Sequence, residues 1–595
     1  MSDIPYADRT DSVNRKLELL AAAYAAGQLD QAMSLAASLK ETLSFERQRA
    51  APAEQADSSA SSFVPVSQLP AAVSQWARGW SICKPLTLHE TVGLARTAEP
   101  VDLSVAFTAD QVHDPMREIR VARWDRAQRR LQEIPSQVYE YRRQQDEVRV
   151  RLVFHADAAA HDTAHYFVFA GNPHAELPHY QTDLHVDGLG QGLDISNKHY
   201  QAKLSRQTGQ LERLIYAREH GLELYAGGKG HGEPPDIDWG HDYVDAGSFQ
   251  KLRMRNWDHC PNFEVTRGPL VVQVRRWGFP HSPMHPLFTP SRMHIDVTYT
   301  FHAGLPYFLK QGRMDMVQDF RIEAMRDDEW VFSGYSFTDM VWIDTAGRLH
   351  EGAVPKDQSD ALWGVGFFNR TSRDAFVALR LMHNVTGPGT IAHGGEPTLH
   401  YAGHGQLWSR YPAQTTDMKA GASYLQKSAY CLAPYPTEDA AEFYQQLRHT
   451  LLNPLVLSTD MPDHLAGAAV NNPPLARCGE TPDAASLKAA VWKTLREVRD
   501  EQFYSIDANV VDMGYIYDVA HRQGIVHILM TMPHRGRPVY QFFEFQGGGR
   551  VSEGIRERLL KLPGVRDVVI EMTWEPAWTT ARLTDQGRAA LGLPA

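Results

Sequence analysis

The feature that most constrains the fold is a two-residue alternation of apolar and polar side chains, repeated in short runs between about residues 76 and 455. Examples are EVRVRLVFH, HYFVFAG, LVVQVRRWGF and HIDVTYTFH. Successive side chains of a strand point to opposite faces, so this alternation predicts strands with one buried face. Gly, Pro, Asn and Asp separate the runs, as in antiparallel sheets. We therefore predict a large antiparallel β-sandwich.

The two ends of the chain follow other patterns. Residues 12–48 have helical spacing that Gly27 interrupts, which predicts a helical hairpin. Residues 484–595 alternate helical and strand patterns, which predicts a small α/β domain. The stretches between these regions are small, polar or proline-rich and predict linkers. The predicted order is a helical hairpin at 1–49, a linker at 50–75, the β-sandwich at 76–455, a linker at 456–483 and the α/β domain at 484–595.

Charge and cysteine usage exclude several classes of protein. The formal net charge is −11 and no long block of like charge occurs, so we expect neither nucleic-acid binding nor a basic membrane-binding face. No apolar run is long enough for a signal peptide or a membrane span. The four cysteines are far apart and form no CxxC pair. We therefore expect a reduced, cytoplasmic protein.

Histidine is abundant, with 27 residues, and it concentrates in glycine-rich stretches between predicted strands. Such loops often carry function. Imidazole and carboxylate together suit zinc, manganese or iron, although no diagnostic spacing such as HExxH occurs. Ordinary solvated histidines are the alternative. The candidate ligands of a divalent metal are His231, Asp238, His393 and His400.

The same region offers candidates for acid/base chemistry and substrate binding. Imidazole can abstract a proton at neutral pH, and His241 and His404 are the candidate bases. Aromatic rings stack on sugar rings, while arginine and histidine reach hydroxyl and acid groups. The candidate substrate-binding residues are Arg253, Arg255, Trp257, His259 and Trp408.

Near the C-terminus, several motifs occur in a fixed order: VDMGYIYDV, then GRP, then WEPAW and ALGL. Together they resemble the MIP18 (DUF59, PaaD-like) family, whose members act in iron–sulfur cluster assembly or in maturing oxygenases. The family's loop usually ends in Gly-Cys-Pro, whereas this chain has Gly536, Arg537 and Pro538. A guanidinium cannot ligate iron, so we expect no iron–sulfur cluster. Two hypotheses remain for this loop: a docking or structural role, or an anion site formed by His534, Arg535 and Arg537.

A second, looser resemblance lies at 195–225 and 294–315, where short strand pairs and an AGLP turn resemble a galactose-mutarotase-like super-sandwich, as in polysaccharide lyases. This resemblance implies a cytoplasmic enzyme of the lyase or hydrolase type acting on a sugar, glycoside or polyhydroxylated acid. The substrate would be a carbohydrate or another small molecule. The alternative is a non-catalytic accessory or assembly protein, whose MIP18-like domain docks on a protein partner.

Overall fold

The structure is a computed structural model. It describes residues 11–50, 63–144, 147–217, 223–225, 242–246, 251–257, 259–280, 292–332, 337–355, 362–389, 398–401, 406–459, 482–499, 509–522, 525–533, 554–562, 565, 567–573 and 577–593.

The chain divides into two compact units, and each unit is built from separate stretches of sequence. Residues 76–455, which we predicted as one sandwich, contribute to both units. The predicted domain boundaries stay predictions. Unit 1 consists of Met1–Arg49, Thr182–Glu264 and Val271–Pro454, and unit 2 of Ala50–Gln181, Val265–Leu270 and Leu455–Ala595.

Unit 2 begins with two antiparallel sheets. Leu86, Val105 and Val150 lie in a shared apolar core that strands of both sheets line. One sheet has the order Val64–Pro65, Ile82–His89, Thr163–Ala170, Ile119–Asp125 and Arg130–Ile134, with Val456–Ser458 also paired to Ile82–His89. The other has the order Arg96–Thr108, Glu147–Ala158 and Ser136–Gln144.

Both predicted linkers overlap structured residues. Strand Val456–Ser458 pairs antiparallel with Ile82–His89, and the Nε2 atom of His89 lies 3.1 Å from the Oγ atom of Ser458. Leu457 is buried in the same apolar core. Before the first sheet, Val73 is fully buried in helix Ala71–Trp76. These apolar side chains explain the difference, because their burial favours packing over a solvated linker.

Unit 1 holds the larger set of antiparallel strands. Its nine-stranded sheet has the order Asn262–Thr266, Val271–Gly278, Met293–His302, Tyr307–Met316, Ser423–Pro434, Asp374–Thr386, Gly364–Phe368, Asp339–Ile343 and Leu349–Glu351. Three smaller sheets contain Glu223–Tyr225, Leu211–Tyr216, Tyr200–Leu204, Gly192–Ser196 and His185–Leu189; Lys251–Arg253, Asp242–Asp245, Phe320–Arg326 and Ala413–Met418; and Asp328–Phe332, Gln406–Arg410 and Thr398–Tyr401.

The described helices are few compared with the described strands. The predicted N-terminal hairpin is present as Asp11–Ala25 and Leu29–Ala50. The other described helices are Ala71–Trp76, Pro115–Glu118, Ala440–Leu452, Pro482–Leu495, Ile555–Leu559 and Asp585–Ala590, with 3₁₀ turns at Val66–Gln68, Met254–Asn256 and Thr580–Arg582. Within the described ranges, no helix is long and apolar enough to cross a membrane.

The hairpin is packed onto the nine-stranded sheet rather than standing alone. Lys16 is 2% exposed; its Nζ atom lies 3.3 Å from a carboxylate oxygen of Asp315 and also donates to Ser423. Arg313 lies on the other side of Asp315, with its Nε atom at 2.7 Å. Leu35 of the second helix is fully buried. A buried ion pair and an apolar contact therefore fix the hairpin to unit 1.

The C-terminal domain contains a three-stranded sheet flanked by short helices. Its strands are Ile516–Arg522, Ile525–Met530 and Asp567–Met572, in that order. The first two strands are antiparallel and the last two are parallel. The predicted fold class is confirmed: several antiparallel sheets, an N-terminal helical hairpin and a small C-terminal α/β domain.

Candidate functional site

The candidate site is the edge of the C-terminal sheet at which its two parallel strands end. Strand Ile525–Met530 and strand Asp567–Met572 run in the same direction, so the chain leaves both at one edge. The backbone N–H of Thr573 donates to the carbonyl of Met530 at 2.8 Å. Ligands of α/β sheets commonly bind at such carboxyl edges.

The start of the family's loop is rigidly held at this edge. Thr531 is fully buried, and its N–H donates to the carbonyl of Tyr515 at 2.8 Å. Met532 is 1% exposed. His534, Arg535 and Arg537 lie outside the described residues, so the predicted anion site stays a prediction.

Two of the motifs that carry the family resemblance, VDMGYIYDV and WEPAW, are joined next to Asp512. Asp512 is 4% exposed, and its Oδ1 atom accepts a hydrogen bond from Thr584 Oγ1 at 2.8 Å. The Trp578 indole donates to the carbonyl of Met513 at 2.8 Å. Thr584 also caps the last helix by accepting from the N–H of Gly587 at 3.1 Å. The VDMG turn and the C-terminal segment therefore hold each other in place.

His527 and Glu571 lie on the same side of this sheet, and the pKa values of both side chains are shifted. Burial lowers the pKa of His527 to about 4, although nearby Asp567 acts in the opposite direction. Burial raises the pKa of Glu571 to about 7, against the opposing effect of Arg267. His527 is therefore neutral at neutral pH, and Glu571 is poised to exchange a proton there.

The predicted substrate-binding residues do not share one environment. Trp257 is fully buried, and its indole donates to the carbonyl of Phe279 at 2.8 Å. Its ring therefore belongs to the core and offers no face for a sugar, which corrects the prediction for this residue. Arg253 is 8% exposed, Arg255 is half-buried and His259 is exposed. Trp408 lies on strand Gln406–Arg410, opposite Trp330.

One of the predicted metal and acid/base residues, His400, lies in the described part of the chain. The candidate ligand His400 lies on strand Thr398–Tyr401, paired with Leu407. In the part of the chain that the structure describes, no group of three or more His, Cys, Asp or Glu side chains is arranged to hold a metal. His231, Asp238, His241, His393 and His404 lie outside the described residues.

The described cysteines are buried thiols with raised pKa values. Cys83, Cys260 and Cys431 are all buried. Burial raises the pKa of Cys260 to about 12 and that of Cys83 well above its ordinary value. Burial therefore keeps these thiols protonated and chemically unreactive.

The sequence analysis did not identify one cluster of buried charged side chains. Asp327, Asp328, Arg380 and Arg410 line a cavity in unit 1. The signal was present in the sequence: four consecutive charged residues precede a tryptophan in RDDEW, and Arg380 lies inside the apolar run FVALRLM. A charge at an inward strand position has to be paired or solvated, and this marks it as unusual.

Comparisons with known proteins give two kinds of similarity. No protein-family profile matches the chain. The Fe–S protein maturation auxiliary factor of Porphyromonas gingivalis is 30% identical over 103 residues, which are 17% of this chain and 88% of that protein. The Fe–S protein maturation auxiliary factor YitW of Bacillus subtilis is 27% identical over 109 residues, which are 18% of this chain and 96% of that protein.

Among solved structures, a protein of glycosyl hydrolase family 38 from Enterococcus faecalis is 11% identical. The match covers 64% of this chain and 47% of that protein, with a TM-score of 0.40. The chain thus spans about half of that hydrolase, and so low a similarity carries no argument about activity.

These comparisons overturn the predicted sugar-acting enzyme. The similar proteins of known role are named maturation auxiliary factors, and the similarity spans nearly their whole length. The prediction failed because it derived an activity from a resemblance in fold, which many unrelated functions share. Through a domain of about 100 residues, which its motifs place at the C-terminus, the chain belongs to the family of Fe–S protein maturation auxiliary factors.

Proposed function

We propose that this chain is a non-catalytic accessory protein of Fe–S protein maturation, whose C-terminal domain binds a partner protein. The observation that carries the proposal is the 30% identity over 88% of a curated auxiliary factor. A match of that extent includes a whole domain rather than a local motif. The iron–sulfur cluster is in this proposal the cargo of the pathway and not a resident cofactor of the chain.

The composition of the loop favours docking over ligation. Arg537 occupies the position at which the family usually has cysteine, so thiolates for a cluster would come from the partner. Arginine is enriched at protein interfaces and pairs with carboxylates in a bidentate geometry. The anion site predicted for His534, Arg535 and Arg537 would then bind an acidic group of the partner.

The rigid edge of the sheet suits this role. The hydrogen bond from the Thr531 N–H to the carbonyl of Tyr515 holds the base of the loop, and the Asp512–Thr584 hydrogen bond holds the VDMG turn. A preorganised base lowers the ordering cost of binding. We further infer that the larger sheets of unit 1 follow a galactose-mutarotase-like arrangement and serve recognition; the resemblance at 195–225 supports this.

The test is a deletion strain of the source organism, grown aerobically under iron limitation. We expect Fe–S enzymes to lose activity relative to their protein level, and full-length chain to restore it. Arg537→Glu should fail to restore activity and should lose the co-purified maturation partner. Arg321→Glu is the matched control, because this arginine is 54% exposed and lies in unit 1. Normal Fe–S enzyme activity in the deletion strain would refute the proposal.

A further inference from the structure

The N-terminal hairpin has an inner surface that packs on the nine-stranded sheet. In its first helix, Lys16 pairs with Asp315 of the sheet. In its second helix, Leu35 is fully buried, and its side chain leaves no room for a Cβ atom on Gly421. These contacts show which side of each helix faces the sheet. The outer surface of the hairpin is the part that faces away from it.

Four large apolar side chains of the hairpin are exposed, and we call them the outer patch. In the first helix Leu17 is 45% exposed and Tyr24 is 71% exposed. In the second helix Leu29 is 59% exposed and Met33 is 72% exposed. Among the described residues, the other exposed large apolar side chains are at most 41% exposed and lie outside the hairpin. Such a concentration of exposed apolar side chains marks an interaction surface.

The outer patch has the same orientation on both helices. Three of its members each follow a buried residue by one position, in the pairs Lys16 and Leu17, Ala23 and Tyr24, and Ala32 and Met33. One position turns a helix by about 100°. Leu29 precedes Met33 by four positions and therefore shares its face. Because the two helices run in opposite directions, equal rotation places both stripes on one side of the hairpin.

A tight turn gathers most of the outer patch at the tip of the hairpin. The N–H of Gly27 donates to the carbonyl of Tyr24 at 3.0 Å, and the N–H of Leu29 donates to the carbonyl of Gly27 at 3.1 Å. Gly27 has a φ of 71°, which glycine adopts readily. The first helix thus ends where the second begins. Tyr24, Leu29 and Met33 therefore form one apolar surface around the tip.

The second helix is complementary to an antiparallel copy of itself about the level of Leu35. Asp30 lies five positions before Leu35 and Lys40 lies five positions after it, and both are exposed. Met33 lies two positions before Leu35 and the exposed Ala37 two positions after it. In an antiparallel pair, opposite charges therefore meet at both ends, and a large side chain meets a small one between them. Complementarity of a surface to itself is the property of a two-fold contact.

The size of the outer patch suits a second copy of the chain. Its four side chains present roughly 400 Å² of apolar surface, which lies in the range of patches that mark an interaction site. With the exposed alanines and charged residues beside them, two such patches approach the ~1,200 Å² at which specific interfaces begin. A contact of this size predicts a reversible dimer.

We propose that the outer patch is the contact of a two-fold dimer of this chain. The second helices of two hairpins pack antiparallel, and Met33 of each copy lies against Ala37 of the other. Asp30 pairs with Lys40 of the second copy at both ends of the contact and sets its register. This contact is separate from the C-terminal loop, so a dimer would present two copies of the partner-binding domain.

Sedimentation velocity of the full-length chain tests the dimer. Between about 1 and about 100 µM we expect a reversible monomer–dimer equilibrium. Tyr24→Glu and Met33→Glu should each weaken dimerisation by about tenfold or more, because each places a charge in an apolar contact. Leu452→Glu is the matched control, because Leu452 is 41% exposed on another helix of unit 1. A chain that stays monomeric, or a dimer that withstands both hairpin substitutions, would overturn the proposal.

Charge reversal tests the antiparallel register. Asp30→Lys and Lys40→Asp should each weaken self-association by about fivefold, because each makes both end contacts repulsive. An equimolar mixture of the two variants should dimerise like the wild type, because every end contact of the mixed dimer joins opposite charges. Circular dichroism checks the folding of each variant, and all the substituted residues are exposed. A mixture that associates no better than the separate variants would refute the two-fold contact.

Discussion

Glu571 should make the stability of unit 2 depend on pH, and Glu571→Gln should remove that dependence. Burial raises its pKa from 4.5 to about 7. A carboxyl group whose folded pKa is raised contributes stability below its unfolded pKa and loses it as pH rises through its folded pKa. The loss therefore falls between about pH 4.5 and pH 7, as the folded protein is forced to ionise a half-buried group.

The size of the effect follows from the shift. One pKa unit corresponds to about 1.4 kcal/mol, so the wild type should lose at most about 2.5 kcal/mol between about pH 5 and about pH 8 through this group. Glutamine has a similar shape and does not ionise. The variant should match the wild type at about pH 5 and exceed it by up to about 2.5 kcal/mol at about pH 8.

Urea unfolding, monitored by circular dichroism, measures the free energy of unfolding of the wild type and the variant at both pH values. The prediction concerns how the difference between the two proteins changes with pH. Glu497→Gln is the matched control in the same domain, because Glu497 is 54% exposed and pairs with Arg558. Its effect should stay within about 0.5 kcal/mol at both pH values. A Glu571→Gln variant that is no more stable than the wild type at about pH 8 would refute the raised pKa of the half-buried Glu571 carboxyl.

Three further predictions concern one anchoring contact in each unit and the absence of a bound iron–sulfur cluster. Thr584→Val should destabilise the C-terminal domain by about 1–2 kcal/mol in thermal melts, because it removes both a helix cap and the hydrogen bond to Asp512. Lys16→Met should release the hairpin and speed its cleavage in limited proteolysis, since the ion pair with Asp315 is buried. Anaerobic reconstitution of the wild type with iron and sulfide should yield no visible cluster absorption, because Arg537 cannot ligate iron; a brown protein would contradict this.

Local structure was largely predictable from the sequence. The run EVRVRLVFH lies within strand Glu147–Ala158, and HIDVTYTFH lies within Met293–His302. Alternation is a property of neighbouring residues, so a sequence reveals it directly. The helical pattern near residue 484 likewise became Pro482–Leu495.

Long-range pairing and buried charge were not predictable in the same way. The Lys16–Asp315 contact joins residues far apart in sequence, and nothing local to either residue indicates the other. Similarly, Arg380 and Asp327 line one cavity only in the folded chain, and their positions in the sequence do not indicate that they are neighbours. We predicted the site in histidine-rich loops because glycine and histidine are conspicuous in a sequence. Charged residues that face inward from strands are not conspicuous in this way.

The pairing of Val456–Ser458 with Ile82–His89 also has a consequence for synthesis. His89 and Ser458 are separated by 369 residues, and the two larger stretches of unit 1, Thr182–Glu264 and Val271–Pro454, are translated between them. At about 5–20 residues per second, the first strand waits roughly 20–70 s for its neighbour to emerge from the ribosome. During that interval one edge of the early sheet is exposed to other chains. Unit 1 has time to fold first, and chaperone demand should be greatest for the unfinished sheet of unit 2.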